Sequence, residues 1–188
     1  MRKALALAGL AGLLALTGCG KEVAGSPSPA AVSTDHTAAK TPPGDPLTLG
    51  PDGVGKVKLG DSTAELKAAG VKVEENWSSD KDCPDVADVP AGPNATGTLQ
   101  ISKKDGVAII EAGKGMHTPE GITFDSPLAA VQKAYPNMTT VSHDSDGGEY
   151  LARVPGSNPE VVYRILTTKG DKVVGRFQLK FAENDCDD

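Results

Sequence analysis

The chain has 188 residues and a formal net charge of −6, with 25 acidic side chains against 19 lysines and arginines. This acidic balance argues against nucleic acid or an anionic membrane surface as a partner, because both would be repelled. Aromatic residues make up only 4% of the chain, which does not suggest a large apolar cavity for carrying lipid. The length suits one ordinary domain or two small half-domains.

The first residues predict a secretory signal peptide over 1–18. Two basic residues precede the uncharged run ALALAGLAGLLAL (4–16), which is shorter than the roughly twenty residues that a membrane-spanning helix needs. The run ends in Leu16-Thr17-Gly18-Cys19, which resembles the lipobox of bacterial lipoproteins. The resemblance implies cleavage before Cys19, acylation of its sulfur, and a mature chain anchored by lipid at the extracytoplasmic face of the cell membrane.

Residues 19–46 predict a tether between the lipidated Cys19 and the folded part. The segment is rich in Pro, Ser, Thr and Ala and contains few large apolar side chains. Such a composition cannot bury enough surface to offset the entropy of ordering, so we expect a disordered linker. The folded domain is then expected over 47–188.

The two remaining cysteines, Cys83 and Cys186, predict a disulfide. Outside the cytoplasm a pair of cysteines is more often bonded than reduced. Two exposed thiols, or a metal pair without further ligands, are the alternatives. A bond here would connect two points about a hundred residues apart in the chain.

Two stretches of the folded part resemble each other, GVGKVKLGDSTAELKAAGV (53–71) and PEGITFDSPLAAVQKAYPNM (119–138). Each has a glycine, a short β-type piece, Asp-Ser and an amphipathic run. In the first, Ser62 and Glu65 predict a capping box at the start of a helix. In the second, Ser126 predicts an N-cap followed by proline at the first helical position.

Each predicted helix is followed by segments with strand-like alternation. VKVEENW, TLQIS and GVAIIEA follow the first, whereas GEYLARV, EVVYRILTT and KVVGRFQLKF follow the second. This order predicts an α+β fold of two similar halves, about 52–113 and 117–186. Each half would be a short helix packed on an antiparallel sheet of about three to four strands.

The motifs VKLGDSTAEL and ITFDSPLAAV, with the strands that follow them, resemble the tandem repeats of the β-lactamase-inhibitor-protein family and of BamE-type outer-membrane-assembly lipoproteins. The resemblance implies the same helix-then-sheet duplication. It assigns no inhibitory contact residue to a position of this chain. Those inhibitors carry a disulfide within each repeat, whereas the single pair here would have to link the halves.

Three motifs resemble catalytic or ligand-binding motifs but lack the residues or the geometry that these need. We therefore predict no catalytic residue, no cofactor and no metal. GKVKLGDS (55–62) has the glycine spacing of a phosphate-binding loop, but an aspartate replaces the lysine that faces the phosphates. Ser142, His143 and Asp144 are adjacent, so they cannot form a triad within one strand. DSDGGE (144–149) lacks the full set of calcium ligands and is typical of a hairpin turn.

Trp77 is the single tryptophan and is surrounded by polar residues. It either belongs to the core or forms an exposed anchor near Cys83, and an exposed indole there would be a candidate binding hot spot.

Two functions remain open. The first is a lipid-anchored, non-catalytic binding module that contacts an envelope protein or a cell-wall component through its sheets or the groove between its halves. The alternative is an envelope hydrolase that uses surface carboxylates such as Asp82, Asp85 and Asp88. A buried carboxylate pair in a cleft would favour the hydrolase.

Overall fold

A computed structural model describes residues 44–92, 95–157, 160–169 and 172–187. The predicted signal peptide (1–18), the lipidation site Cys19 and the linker up to residue 43 lie outside the described residues. The end of the predicted linker is described, and it contacts the domain. There the Asp45 carboxylate accepts a hydrogen bond from the amide of Leu47 at 2.9 Å and lies 3.3 Å from Nε2 of His117.

The described part contains ten strands and two short helices. In chain order they are β1 (Gly53–Val54), β2 (Val57–Lys58), α1 (Thr63–Ala68), β3 (Val73–Glu74), β4 (Asp85–Gly92), β5 (Ala95–Ser102), β6 (Gly106–Glu111), α2 (Leu128–Ala134), β7 (Thr139–Asp144), β8 (Gly147–Arg153), β9 (Val161–Thr168) and β10 (Lys172–Phe181). Strands β1 and β2 form a small hairpin by themselves. The other eight form one antiparallel sheet in the order β3-β4-β5-β6-β10-β9-β8-β7.

The predicted fold class, two α+β halves with separate sheets, is wrong. Strands β6 and β10 pair directly, with Ile110 opposite Leu179, and this pairing joins all eight strands into one sheet. Two separate sheets would leave the backbone N–H and C=O groups of β6 and β10 on exposed edges, whereas the joined sheet pairs them. The helices have only six and seven residues, so the described fold is mostly β.

The helix starts show one correct and one wrong prediction. Ser62 accepts a hydrogen bond from the Glu65 amide, and the Glu65 carboxylate accepts one from the Ser62 amide, so the capping box is confirmed. This backbone hydrogen bond also lowers the pKa of Glu65. In α2 the N-cap is Pro127, and Ser126 instead accepts from the Thr123 amide at 2.9 Å. The Ser126 hydroxyl group therefore stabilises a local turn and does not cap the helix.

The strand predictions are accurate where alternation or turn signals are strong. Strands β5, β6, β8, β9 and β10 lie where they are expected. The stretch VKVEENW contributes only the two residues of β3, and β4 was not predicted at all. Strand β4 contains a proline and a terminal glycine, which reduce strand propensity, and it forms because β5 pairs with it along almost its full length.

Apolar side chains cover one face of the sheet, here called the closed face. Leu99, Ile110, Tyr163, Phe177 and Leu179 are buried there. The layer packed against them comes from α1, from α2 and its C-cap, from the β1–β2 hairpin and the residues before it, and from the segment 112–126, through Leu49, Val54, Leu66, Met116, Ile122, Val131 and Tyr135. Burial raises the pKa of Tyr163, whose hydroxyl donates to the Leu49 carbonyl oxygen at 2.7 Å. None of the described segments forms such an apolar layer on the opposite face, which holds the candidate site.

Candidate functional site

The second face of the sheet, here called the open face, is mostly polar. Its side chains alternate with those of the closed face along each strand. One row crosses five strands in register and contains Asp88, Thr98, Glu111, Gln178 and Arg164. A row of this kind brings together residues that are more than sixty positions apart in the sequence, so the pairing of β6 with β10 creates it.

A groove of about 720 Å³ lies on this face. The volume falls within the range of ligand pockets, roughly 300 to 1,000 Å³. Its lining comes from six strands, from the segments that precede β3 and β4 and from the C-terminal segment: Lys72, Glu74, Trp77, Ser78, Asp80, Cys83, Val86, Ala87, Asp88, Thr98, Gln100, Ile109, Arg164, Arg176, Gln178, Cys186 and Asp187. Most of the lining residues are polar or charged, and Ile109 is a buried apolar side chain among them.

Trp77 lies in the lining of the groove and is 68% exposed, so the exposed alternative describes it rather than the core alternative. The loop that carries it is held at several points. The Asn76 amide donates to the Asp85 carboxylate at 2.9 Å, and the Ser78 amide donates to the Pro84 carbonyl oxygen at 3.0 Å. The indole is thus presented by a backbone that is already ordered.

Asp80 organises the same loop. Its carboxylate accepts hydrogen bonds from the backbone amides of Asp82 at 2.8 Å and Cys83 at 3.1 Å. These two bonds stabilise the charged form and lower the pKa of Asp80 below its usual value. The charge at Asp80 therefore serves the loop geometry and is not available as a neutral acid near pH 7.

The predicted disulfide between Cys83 and Cys186 is confirmed, with 5.2 Å between the two Cα atoms. It fixes the C-terminal segment beside the Trp77 loop. Asp187, the next residue, forms ion pairs with the buried Lys180 ammonium and with Arg164, whose Nη1 lies 3.3 Å from the carboxylate. Arg164 also donates from Nε to Glu149 at 2.6 Å. One wall of the groove is thus attached covalently and by ion pairs.

Gln178 contributes an incompletely bonded group to the groove. Its side chain is 1% exposed, and its Nε2 donates to the Glu111 carboxylate at 3.2 Å. Its Oε1 is buried and has no hydrogen-bond partner among the described residues. An amide oxygen in this state costs free energy unless a donor reaches it.

The three carboxylates proposed for a hydrolase do not meet. Asp88 is exposed and lines the groove, whereas Asp85, three residues away on the same strand, lies on the other side of the pleat and accepts the Asn76 amide. Asp82 is exposed outside β4, where its carbonyl oxygen accepts from the Lys103 amide. The structure therefore does not bring these three side chains into one cleft.

The remaining motifs take local roles. DSDGGE closes the β7–β8 hairpin as predicted, since the Asp146 amide donates to the Asp144 carboxylate at 2.8 Å. In GKVKLGDS, the Gly60 amide donates to Val107 of β6, and the Val107 amide donates to Asp61. This docking needs glycine at position 106, where a Cβ would lie 2.5 Å from the Gly60 carbonyl oxygen.

Two kinds of feature are absent from the described ranges. No group of three or more His, Cys, Asp or Glu side chains within them has the geometry to hold a metal ion. Among the helices of the same residues, none is both long and apolar enough to cross a membrane.

Most lining residues of the groove were not predicted. Alternation along β10 assigns Arg176 and Gln178 to the face opposite Phe177, so the sequence did contain a signal for their direction. It contained none for their neighbours, because Gln100 and Arg164 join them only through strand pairing.

Comparison of the chain with models of known protein families, with curated proteins and with solved structures found no match.

Proposed function

We propose that this chain is a lipid-anchored, non-catalytic binding module of the cell envelope and that the groove on the open face is its binding site. The observation that carries the proposal is the combination, in one groove, of an exposed indole and a buried amide oxygen for which the described residues provide no donor. A large aromatic side chain held by an ordered loop is typical of binding hot spots. An unpaired polar atom in the floor gives a ligand something specific to satisfy.

The anchor part of the proposal rests on the motif Leu16-Thr17-Gly18-Cys19 at the end of an apolar run. Two or three acyl chains at Cys19 would hold the domain at the membrane, whereas one chain gives only reversible attachment. The linker expected over 19–46 would let the groove reach partners in the envelope away from the bilayer surface.

Lipidation is tested by Cys19→Ala in cells that express the full chain. We expect the variant to lose incorporation of labelled fatty acid and to remain unprocessed or to leave the membrane fraction. Normal fatty-acid labelling and processing of the variant would contradict the anchor.

The binding site is tested by photo-crosslinking in intact envelopes. A benzophenone amino acid at position 88, which lines the groove, is compared with one at position 141 in strand β7. Val141 is 56% exposed and lies across the sheet, so it controls for random collisions. We expect a discrete adduct, with protein or with polysaccharide, only from position 88. Equal labelling from both positions, or none from either, would overturn the proposal.

A further inference from the structure

We propose that the ligand of the open-face groove is a carbohydrate chain, bound with a sugar ring against Trp77 and its hydroxyl groups on the amide-bearing floor. This inference rests on the proposed function, in which the groove is a binding site, and it names the chemical class of the ligand.

The first argument is the chemistry of the rim. Trp77 presents a flat, apolar surface whose surroundings are polar, since Ser78 and Asp80 lie beside it in the same lining. A pyranose ring has the matching character, because its C–H groups form an apolar face and its hydroxyl groups point outward. The indole combines a large apolar area with few rotatable bonds, so little entropy is lost when it is covered.

The second argument is the floor. Thr98, Gln100 and Gln178 provide a hydroxyl group and two amides, each able to donate and to accept. A sugar hydroxyl group also donates and accepts, so it can serve either end of an amide. The Oε1 of Gln178 lacks a donor among the described residues, and a hydroxyl group of the ligand would supply one after a small rotation of the side chain.

The third argument is the balance of charge. The lining contains three cationic side chains, Lys72, Arg164 and Arg176, and four carboxylates, Glu74, Asp80, Asp88 and Asp187. Arg164 is already paired with Glu149 and Asp187. Neither sign dominates, so a polyanion or a strongly cationic ligand would meet repulsion as well as attraction. A polyhydroxylated ligand of low charge avoids this repulsion.

The fourth argument separates a carbohydrate from a peptide. The groove lies on a sheet face, where β5, β6 and β10 each have a paired strand on both sides, so their backbone N–H and C=O groups are already used between strands. An extended peptide gains its main-chain hydrogen bonds at a sheet edge, not on a face. It would also need side-chain pockets, and Ile109 is the one large aliphatic side chain buried in the described floor.

The test uses the full chain, purified in detergent micelles, on an array of bacterial surface polysaccharides and of oligosaccharides from peptidoglycan glycan strands. The saccharide with the strongest signal is then measured by calorimetry. We expect binding by the wild type and a loss of about tenfold or more in affinity for Trp77→Ala, with Trp77→Phe intermediate. Gln100→Leu should also weaken binding, whereas Val141→Ala, at an exposed site outside the groove, should leave it unchanged.

The outcomes separate this inference from the proposed function. Absence of saccharide binding together with a protein adduct from position 88 would overturn the carbohydrate and leave the groove as a binding site. Saccharide binding that Trp77→Ala does not weaken would overturn the assignment to this groove. Because Trp77 is exposed, Trp77→Ala is expected to fold, and an unchanged circular dichroism spectrum with an intact Cys83–Cys186 bond verifies this.

Discussion

The two faces of the sheet are built from the same strands and are stabilised in different ways. On β10, Phe177 and Leu179 are buried in the apolar layer of the closed face, while Gln178 between them lies on the open face beside Glu111. The closed face depends on apolar burial, which tolerates no polar substitution without cost. The open face depends on a disulfide, ion pairs and hydrogen bonds, and the Oε1 atom of Gln178 has no hydrogen-bond partner there within the described ranges. Apolar burial is concentrated on one face, and the polar groups that a ligand could use are concentrated on the other.

The largest expected effect concerns the covalent connection on the open face. The double variant Cys83→Ser, Cys186→Ser should lower the free energy of unfolding by about 4 to 5 kcal/mol, because the bond closes a long loop and so restricts the unfolded chain. The two cysteines are 103 positions apart. Urea denaturation followed by circular dichroism measures the loss. Reduction of the wild type should reproduce it, and a loss below about 1 kcal/mol would show that the bond does not stabilise the fold.

Neighbouring residues of β10 give a direct comparison of the faces. Phe177→Ala should cost about 3 to 5 kcal/mol, since it leaves a cavity in the closed face. Arg176→Ala removes a half-exposed side chain whose Nε lies 3.9 Å from Glu111, and it should cost less than about 1 kcal/mol. Thermal and urea unfolding of both variants measure the difference. Similar costs for the two variants would contradict the division of roles.

The buried amide of Gln178 allows a comparison of reciprocal substitutions on the two faces. Gln178→Leu should change the free energy of unfolding by no more than about 1 kcal/mol in either direction, because the amide that it removes is bonded through Nε2 alone among the described residues. Leu179→Gln, the reciprocal change on the closed face, should cost about 2 kcal/mol or more, since it buries an amide among apolar side chains. Urea unfolding tests both. A large loss of unfolding free energy for Gln178→Leu would mean that the polar contacts of the open face stabilise the fold as much as the apolar layer does.

The smallest expected effect concerns the Trp77 loop and pH. The pKa of Asp80 is lowered in the folded protein, so its contribution to the loop is present above its usual pKa and is lost as pH falls through the lowered value. We expect the fluorescence of Trp77 to change as pH falls from about 5 to about 2 and the change to shrink in Asp80→Asn.

Glu65 is the control for this titration, because its pKa is also lowered but by the capping box of α1, outside the lining of the groove. Glu65→Gln should leave the fluorescence titration of the wild type unaltered. If the wild type and Asp80→Asn titrate alike, Asp80 does not control the loop.

The parts of the fold that the sequence predicted are those with local physical causes. The capping box at Ser62 and Glu65 needs only residues of one turn, and the alternation along β10 needs only residues of one strand. The disulfide followed from the number of cysteines and the expected compartment. The N-cap at Ser126 was wrong because a competing local hydrogen bond from Thr123 takes the hydroxyl group.

The candidate site was predictable only in part. The polar residues around Trp77 were consistent with an exposed indole, and the predicted disulfide at Cys83 lay close to it in the sequence. Strand β4, which carries Asp88 into the groove, has weak strand signals and depends on its partner β5. Its carboxylates are close in the sequence, but the pleat places Asp85 and Asp88 on opposite sides of the sheet.

By itself, the sequence determined the capping box of α1 and the direction of alternate side chains along β10, because hydrogen bonding within one turn and the geometry of one strand decide these features. Only the tertiary structure decided that Ile110 of β6 lies opposite Leu179 of β10. That pairing turns two predicted sheets into one and collects Thr98, Gln178 and Arg164 in a single row on the open face. The choice depends on which edges find each other, and backbone hydrogen bonds at an edge do not distinguish one partner strand from another.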